Sequence, residues 1–253
     1  EDGIRGGLVT GVQTCALPIC EGWMSIKAGV YDIVLCVGVE QMGRGLLGGA
    51  GGGKGISTEG LLGSGTMPCV FAEAGMEHTR KYGTTFEQFA QVSVKNHHHS
   101  TMNKKAMYQI ETPLETVMNS EMIAYPNTKL MCSVNVDGSA AAVLCSEKKA
   151  KEIGMGRAVR IKASVLTSDP YSERNLTMPD VNSCTQLAAK AAYDMAGVGA
   201  SDIDLIDLHD CFATAAVLHY GKLGLSPPHD AGQFVQDGNS ALAASTPSHP
   251  SHG

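Results

Sequence analysis

The sequence has few aromatic and few charged residues. Aromatic side chains account for 5% of its 253 residues and charged side chains for 17%. With a net charge of −6 it lacks the basic surface that proteins use to bind nucleic acid. It also lacks any apolar run near the roughly 20 residues of a membrane-spanning helix. We therefore expect a globular protein without a nucleic-acid partner and without a membrane span.

The cysteines lack the spacing of a metal site. Eight of them are scattered without a Cys-x-x-Cys pair: Cys15, Cys20, Cys36, Cys69, Cys132, Cys145, Cys184 and Cys211. Several lie in apolar, strand-like segments, which is typical neither of a zinc site nor of a disulfide framework. We expect reduced, buried thiols in an intracellular protein, and no metal centre.

Two local patterns resemble known binding sites but lack residues or geometry that those sites require. Gly48, Gly53 and Lys54 have the spacing of a phosphate-binding loop, but Gly55 stands where serine or threonine would hold magnesium, so Gly45 to Gly55 is interpreted as a flexible loop. Three consecutive histidines, His97 to His99, cannot all face one metal from a helix. We interpret them as a solvated helix end that complements the helix dipole.

The remaining pattern alternates helices and strands. Predicted strands cover residues 32–39 and 158–166, and residues 136–145 predict a turn followed by a strand of small residues. Predicted helices end at Gly29, occupy most of Pro68 to Asn96 with a cap at Thr84 or Thr85, run from Glu147 to Ile153 after a Ser146 cap, and extend from Asn182 or Ser183 to Gly197. Tyr125-Pro126 indicates a turn. This order predicts an α/β protein with a parallel sheet and right-handed crossovers.

One segment carries a candidate chemical site. Ile203 to Leu208 predicts a short, mostly buried strand that ends in His209, Asp210 and Cys211, followed by a helix that stops at Gly224. We expect the first turn of that helix to hold Asp210 and Cys211, where the dipole would favour a thiolate. The competing interpretation is a strand end with a buried cysteine and a hydrogen-bonded histidine.

The first twenty residues differ from the rest. Residues 9–19, VTGVQTCALPI, resemble the conceptual translation of a sequencing-library adapter, and residues 1–5 resemble its outer part. A signal peptide is the competing interpretation, but a basic segment followed by an adequate apolar core is lacking. We expect residues 1–20 not to be native and the chain to be a fragment.

Several motifs together resemble one family. They are IKAGVYDIVLCVGVEQM at residues 26–42, FAEAGMEHTRKYGTTFEQF at 71–89, KNHHHS at 95–100, VDGSAAAVL at 136–144 and LHDCF at 208–212. In combination they resemble a thiolase of the sterol-carrier-protein, or lipid-transfer, type. The HDCF form is typical of this branch, whereas classical thiolases carry an Asn-Glu-Ala-Phe type of motif.

The resemblance implies the thiolase fold, layered α/β/α/β/α from two similar halves and incomplete here at both ends. Residues 21–156 would be a partial N-terminal half with a loop region at about 43–130, and residues 157–253 a truncated C-terminal half. It also implies a homodimer when the protein is full length, in the cytoplasm or, in a eukaryote, the peroxisome.

The resemblance further implies acyl transfer on coenzyme A thioesters in lipid metabolism, by thiolysis or Claisen condensation, with the thioester as substrate and no bound cofactor. His209 would stabilise the thioester oxyanion, Cys211 would be the acid/base group, and Asp210 would orient the segment. The family's nucleophile register falls near Val12, which neither Cys15 nor Cys20 matches. His249 and His252 do not match the family's Gly-His-Pro histidine, so we expect this chain to be inactive.

Two alternatives stay open. One is an aldolase-type lyase on a sterol side-chain acyl-CoA, working with a small CoA-binding partner subunit. The other is a homologue that binds lipid or acyl-CoA without catalysis.

Overall fold

The described residues form eight α-helices and four strands. The computed structural model describes residues 11–42, 66–168 and 183–241. The helices are α1 (Gly11–Lys27), α2 (Met67–Tyr82), α3 (Phe86–Ser100), α4 (Leu114–Met118), α5 (Glu147–Ile153), α6 (Ser183–Ala196), α7 (Ala213–Lys222) and α8 (Ala231–Gln236). The strands are β1 (Ile33–Glu40), β2 (Met122–Ala124), β3 (Asn127–Thr128) and β4 (Gly138–Cys145). The glycine-rich segment at 45–55 and the histidines at 249 and 252 lie outside the described residues.

Capping residues determine where several helices begin and end, as the sequence predicts. At the start of α3 the Thr85 hydroxyl accepts a hydrogen bond from the Gln88 amide at 3.2 Å, and the Gln88 side chain accepts one from the Thr85 amide at 3.1 Å. At the start of α5 the Ser146 hydroxyl accepts a hydrogen bond from the Lys149 amide, and Gly154 ends that helix at φ 75°, where a side chain would be strained. These local predictions are confirmed.

Strands β1 and β4 pair along their full length in antiparallel register. Ile33 lies opposite Cys145, and Glu40 lies opposite Gly138. Strands β2 and β3 are also antiparallel, and the predicted turn at Tyr125-Pro126 joins them. The predicted parallel pairing is therefore wrong for β1 and β4, whereas β2 and β3 lie where the sequence predicts only a turn. An apolar run predicts that a strand is buried, but it does not show in which direction its neighbour runs.

Helix α1 covers one face of the β1–β4 ladder. It approaches so closely that a Cβ on Gly22 would lie 3.0 Å from the Cys36 sulfur. On the opposite face, Leu35 is 63% exposed and Val39 is 70% exposed. In the described part of the chain β1 is therefore buried on one face only, not on both as its continuous apolar run predicts.

One further prediction is wrong. Residues 158–166 alternate as a strand would, but they form no regular strand in the structure. Where the region at about 43–130 is described, it contains α2, α3 and α4. This loop region and the domain boundaries near residues 20 and 156 stay predictions. No helix within residues 11–42, 66–168 and 183–241 is long and apolar enough to cross a membrane.

A buried core lies where α3 meets α7 and α8. Phe89 and Val92 of α3 and Val217 and Tyr220 of α7 are fully buried in it. The other buried members are Ala90, Val117, Met131, Ala213, Ala216, Ala231 and Val235. Fully burying side chains of this size stabilises the fold by roughly 1.5–3 kcal/mol each. This core holds the amino end of α7, and the candidate site directly precedes that end.

Helix α2 also packs against α7, through a glycine. A Cβ on Gly75 would lie 2.6 Å from the Thr214 Cγ2, closer than carbon atoms can approach. Thr214 is fully buried, and its hydroxyl exchanges hydrogen bonds with the Asn127 side chain. The absence of a side chain at residue 75 therefore sets the distance between the two helices.

Replacing Gly75 by alanine should lower the free energy of unfolding by about 1–3 kcal/mol, because the added methyl group overpacks this contact. The gain in helix propensity, about 1 kcal/mol, offsets part of that loss. Thr214→Ser removes the clashing methyl group and keeps the hydroxyl, so Gly75→Ala should cost less in a Thr214→Ser background. Urea unfolding of both single variants and the double variant measures the coupling, and strict additivity would contradict the contact.

Candidate functional site

The candidate site lies in an extended segment, residues 208–212, just before α7. The predicted strand at 203–208 is absent: Ile206 forms an isolated bridge, and Leu205 is 55% exposed. The apolar residues of this stretch pack without forming a strand. Ile203, Ile206 and Leu208 are half-buried, and the residues next to them face solvent. His209 is exposed, and Asp210 and Cys211 are half-buried.

Helix α7 begins later than the sequence predicts. Its N-cap is Phe212 and its first residue is Ala213, so Asp210 and Cys211 precede the first turn. The expected stabilisation of a thiolate is not found. Burial raises the pKa of the Cys211 thiol to about 12, and the negative charge of Asp210 contributes to the rise. The backbone amides of Cys211 and Phe212 oppose this rise only in part. At neutral pH Cys211 is therefore a protonated thiol.

A second segment, residues 128–133, crosses the site and holds it by backbone contacts. We call it the crossing segment. Cys132 and Phe212 form an antiparallel bridge, and the Ser133 amide donates to the Cys211 carbonyl at 2.9 Å. The Cys132 thiol donates to the Thr128 carbonyl at 3.2 Å. Burial raises the pKa of Cys132 to about 11, so this thiol is protonated at neutral pH as well.

Helix α3 contributes a side-chain contact. The Asn96 amide group donates to the Asp210 carboxylate at 2.7 Å. On the same helix Ser93 donates to the Leu130 carbonyl, which ties α3 to the crossing segment. The carboxylate is thus held by a residue 114 positions earlier in the chain. Asn96 belongs to the KNHHHS motif, but nothing in that motif marks it as part of this site.

A second histidine lies near His209. His219 of α7 is half-buried, and its Nδ1 is buried without a hydrogen-bond partner. Burial, followed by the charge of His209, lowers the pKa of His219 to about 4. His219 is therefore neutral at physiological pH. His219 lies on the helix after the motif, where no pattern in the sequence marks it as a site residue.

The three consecutive histidines have different environments. His98 is exposed and lies 2.7 Å from the Glu111 carboxylate, but His99 is buried. His97 is half-buried, and its pKa is lowered mainly by burial. The interpretation as a solvated helix end is therefore correct for His98 only. Over residues 11–42, 66–168 and 183–241, no three His, Cys, Asp or Glu side chains are grouped so that they could hold a metal ion.

Two other cysteines lie at the contact between α1 and the β1–β4 ladder. Cys20 of α1 and Cys36 of β1 are buried there, and the Cys36 thiol donates to the Pro18 carbonyl at 3.2 Å. The side chain of Cys15 lies outside the described residues. The structure thus brings together His209, Asp210 and Cys211 with Asn96 and Cys132.

Comparisons with known proteins agree on one family. Residues 169–253 match the family model "Thiolase C-terminal domain-like". The chain is 35% identical over 246 residues to sterol carrier protein 2 of Oryctolagus cuniculus, covering 92% of this chain and 45% of that protein. It is 34% identical over 245 residues to acetyl-CoA acetyltransferase of Methanothermobacter thermautotrophicus, covering 94% and 62%.

A solved structure supports the fold. The Ltp2-ChsH2(DUF35) aldolase superposes with a TM-score of 0.75 at 21% identity, covering 94% of this chain and 63% of that one. The predicted fold class, α/β of the thiolase type, is confirmed. The chain spans about half the length of the curated relatives it matches.

The raised pKa of Cys211 predicts how its reactivity depends on pH. The rate of alkylation by iodoacetamide should be low at pH 7 and should still be increasing at about pH 10, because only the thiolate reacts. Mass spectrometry of the peptide containing Cys211 measures this rate, and Cys145, half-buried on β4, serves as the comparison. A rate that levels off near pH 8 would contradict the assignment of a protonated thiol.

Proposed function

The chain belongs to the thiolase superfamily and is of its sterol-carrier-protein type, and on this premise we propose that it transfers acyl groups between coenzyme A thioesters. The substrate would be an acyl-CoA or 3-oxoacyl-CoA. The observation that carries the proposal is the HDCF segment, in which an exposed imidazole and a protonated thiol lie two residues apart. Acyl transfer needs both an oxyanion donor and an acid/base group.

We assign the oxyanion role to His209. When a nucleophile attacks a thioester carbonyl, negative charge develops on the carbonyl oxygen, and a hydrogen-bond donor stabilises it. His209 is exposed at the end of the segment, where a substrate can reach its ring. The neighbouring His219 is neutral at physiological pH and therefore does not repel a charged His209 there.

We assign the acid/base role to Cys211. In thiolysis, cleavage of the Cα–Cβ bond of a 3-oxoacyl thioester leaves the enolate of acetyl-CoA, which must gain a proton. A thiol with a pKa of about 12 holds a proton at neutral pH and can donate it to that carbanion. The CoA thiol that then attacks the acylated enzyme loses its own proton, which restores Cys211. Asp210 would orient the segment and keep Cys211 protonated.

The residue that carries the acyl group is not assigned to a described cysteine. Cys132 is protonated at neutral pH, as is Cys211. We propose further that the active form is a homodimer and that a small CoA-binding subunit can accompany it. The proposal of an accompanying subunit is based on the Ltp2-ChsH2(DUF35) aldolase, whose name pairs two proteins. Its support is a similarity of fold.

The activity is tested by incubating 3-oxoacyl-CoA with CoA and measuring acetyl-CoA by mass spectrometry. Because the chain covers only 45% and 62% of these two relatives, the assay should use both the 253-residue chain and the protein from the longest reading frame that contains it. In the active protein, His209→Ala and Cys211→Ala should each lower kcat by about a hundredfold or more. Cys145→Ala, half-buried outside the site, is the matched control.

Other outcomes separate the alternatives. Retro-aldol release of a ketone from a sterol side-chain acyl-CoA, without thiolysis, would identify a lyase. Acyl-CoA binding by calorimetry without any turnover would identify a non-catalytic homologue. Unchanged thiolysis in both His209→Ala and Cys211→Ala would refute the assignment of the site.

A further inference from the structure

We propose that Asn96 of α3 is a positioning residue of this site, whose amide holds the Asp210 carboxylate and thereby fixes His209 and Cys211 relative to the helical core. The inference rests on the proposed function of the HDCF segment. It adds a residue 114 positions away in the sequence that would not contact substrate.

The geometry supports a direct mechanical connection. The Asn96 side chain donates to Asp210 at 2.7 Å, a charge-assisted hydrogen bond of short length. Helix α3 itself cannot shift easily, because Phe89 and Val92 are fully buried in the core. One turn before Asn96, Ser93 contacts the carbonyl of Leu130. Asn96 therefore projects from a rigid element onto a segment that has no regular secondary structure of its own.

Two contacts hold the HDCF segment. The Ser133 amide donates to the Cys211 carbonyl at 2.9 Å, and the Asn96 side chain donates to the Asp210 carboxylate at 2.7 Å. The first contact restrains the backbone, and the second restrains the carboxylate. Loss of the Asn96 contact would weaken the restraint on the Asp210 carboxylate, whose negative charge acts on the Cys211 thiol.

An unfavourable feature of Asn96 indicates that its amide group has a specific role. The Oδ1 atom of Asn96 is buried and has no hydrogen-bond partner, which is unfavourable for an amide oxygen. A leucine, with the same number of side-chain heavy atoms, would avoid this cost and has a higher helix propensity. An amide is useful here because it donates a hydrogen bond to Asp210 without adding a charge. A lysine in its place would neutralise the carboxylate that helps to keep Cys211 protonated.

Two substitutions test the inference. Asn96→Leu removes the donor and keeps the number and branching of the side-chain heavy atoms, with a somewhat larger volume. Asn96→Asp keeps the shape but places a second carboxylate against Asp210. When this pair shares one proton, the protonated acid can donate to the other carboxylate, whereas two ionised groups repel each other. Asn119→Asp, at the exposed carboxyl end of α4, is the matched control for the change in charge.

The main measurement is hydrogen exchange of the Ser133 amide and of residues 209–212, at about pH 5 and about pH 8, each relative to the original protein at the same pH. Asn96→Leu should exchange about tenfold faster or more at both pH values, the factor expected from losing a charge-assisted hydrogen bond. Asn96→Asp should be close to the original protein at pH 5 and faster by a similar factor at pH 8. Asn119→Asp should not change.

Asn96→Asp is expected to recover the original exchange rate at pH 5, and we call this recovery the pH rescue. It depends on the titratable groups near Asp210. Titratable groups near this segment include Cys211 and His209 in the segment itself, Cys132 in the crossing segment, and His219 of α7, which interacts with His209. The two thiols stay protonated and His219 stays mostly neutral over the measured interval. To separate the contribution of His209, Asn96→Asp is also measured in a His209→Gln background. The rescue should persist there.

Exchange in Asn96→Asp that equals the original protein at both pH values, or is equally fast at both, overturns the inference. These readouts need no turnover, so they separate a failure of this inference from a failure of the proposed function. In protein that is active in thiolysis, Asn96→Leu should lower kcat about tenfold with KM unchanged, because Asn96 lies behind Asp210 and away from the substrate. A rise in KM with kcat unchanged would show a substrate-binding role instead and would also overturn it.

Discussion

The packing of α3 against α7 is the constraint on which the described site depends. Phe89 and Val92 from one helix and Val217 and Tyr220 from the other are fully buried together. The Lys95 ammonium lies 3.1 Å from the Tyr220 hydroxyl and extends this contact to its edge. Because the core fixes both helices, it also fixes Asn96 on α3 and the amino end of α7. The HDCF segment contacts Asn96 and continues into the amino end of α7. These two attachments hold the segment without a strand at that position.

Burial determines the chemical character of the ionisable groups around that segment. It raises the pKa of Cys211 and Cys132 and lowers the pKa of His219, so all three are neutral at physiological pH. The site therefore contains Asp210 as a held charge among neutral groups. Water cannot screen a half-buried charge fully, so its effect on the adjacent thiol is larger than it would be at the surface.

Local signals in the sequence predicted the helices well and the site only in part. Ser146, Gly154 and the Thr85 cap act through neighbouring residues, so the sequence contains all the information they need. The direction of β4 and the starting point of α7 depend on contacts between distant residues. Asn96 and Cys132 reach the site through tertiary packing, and no spacing in the sequence places them beside Cys211. The family motifs indicated His209 and Cys211, but they could not show that the thiol is buried.

A thiolase-type reaction needs two thiol environments of opposite character. The thiol that accepts the acyl group must be charged, which requires positive or hydrogen-bonding neighbours. The thiol that acts as the acid/base group must be protonated at neutral pH, which requires burial or a negatively charged neighbour. Cys211 has both of the latter features, because it is half-buried and lies beside Asp210. These features would disable it as a nucleophile in the resting state, and they suit it to protonate a carbanion. The environment of Cys211, more than its presence in a motif, therefore favours the acid/base assignment.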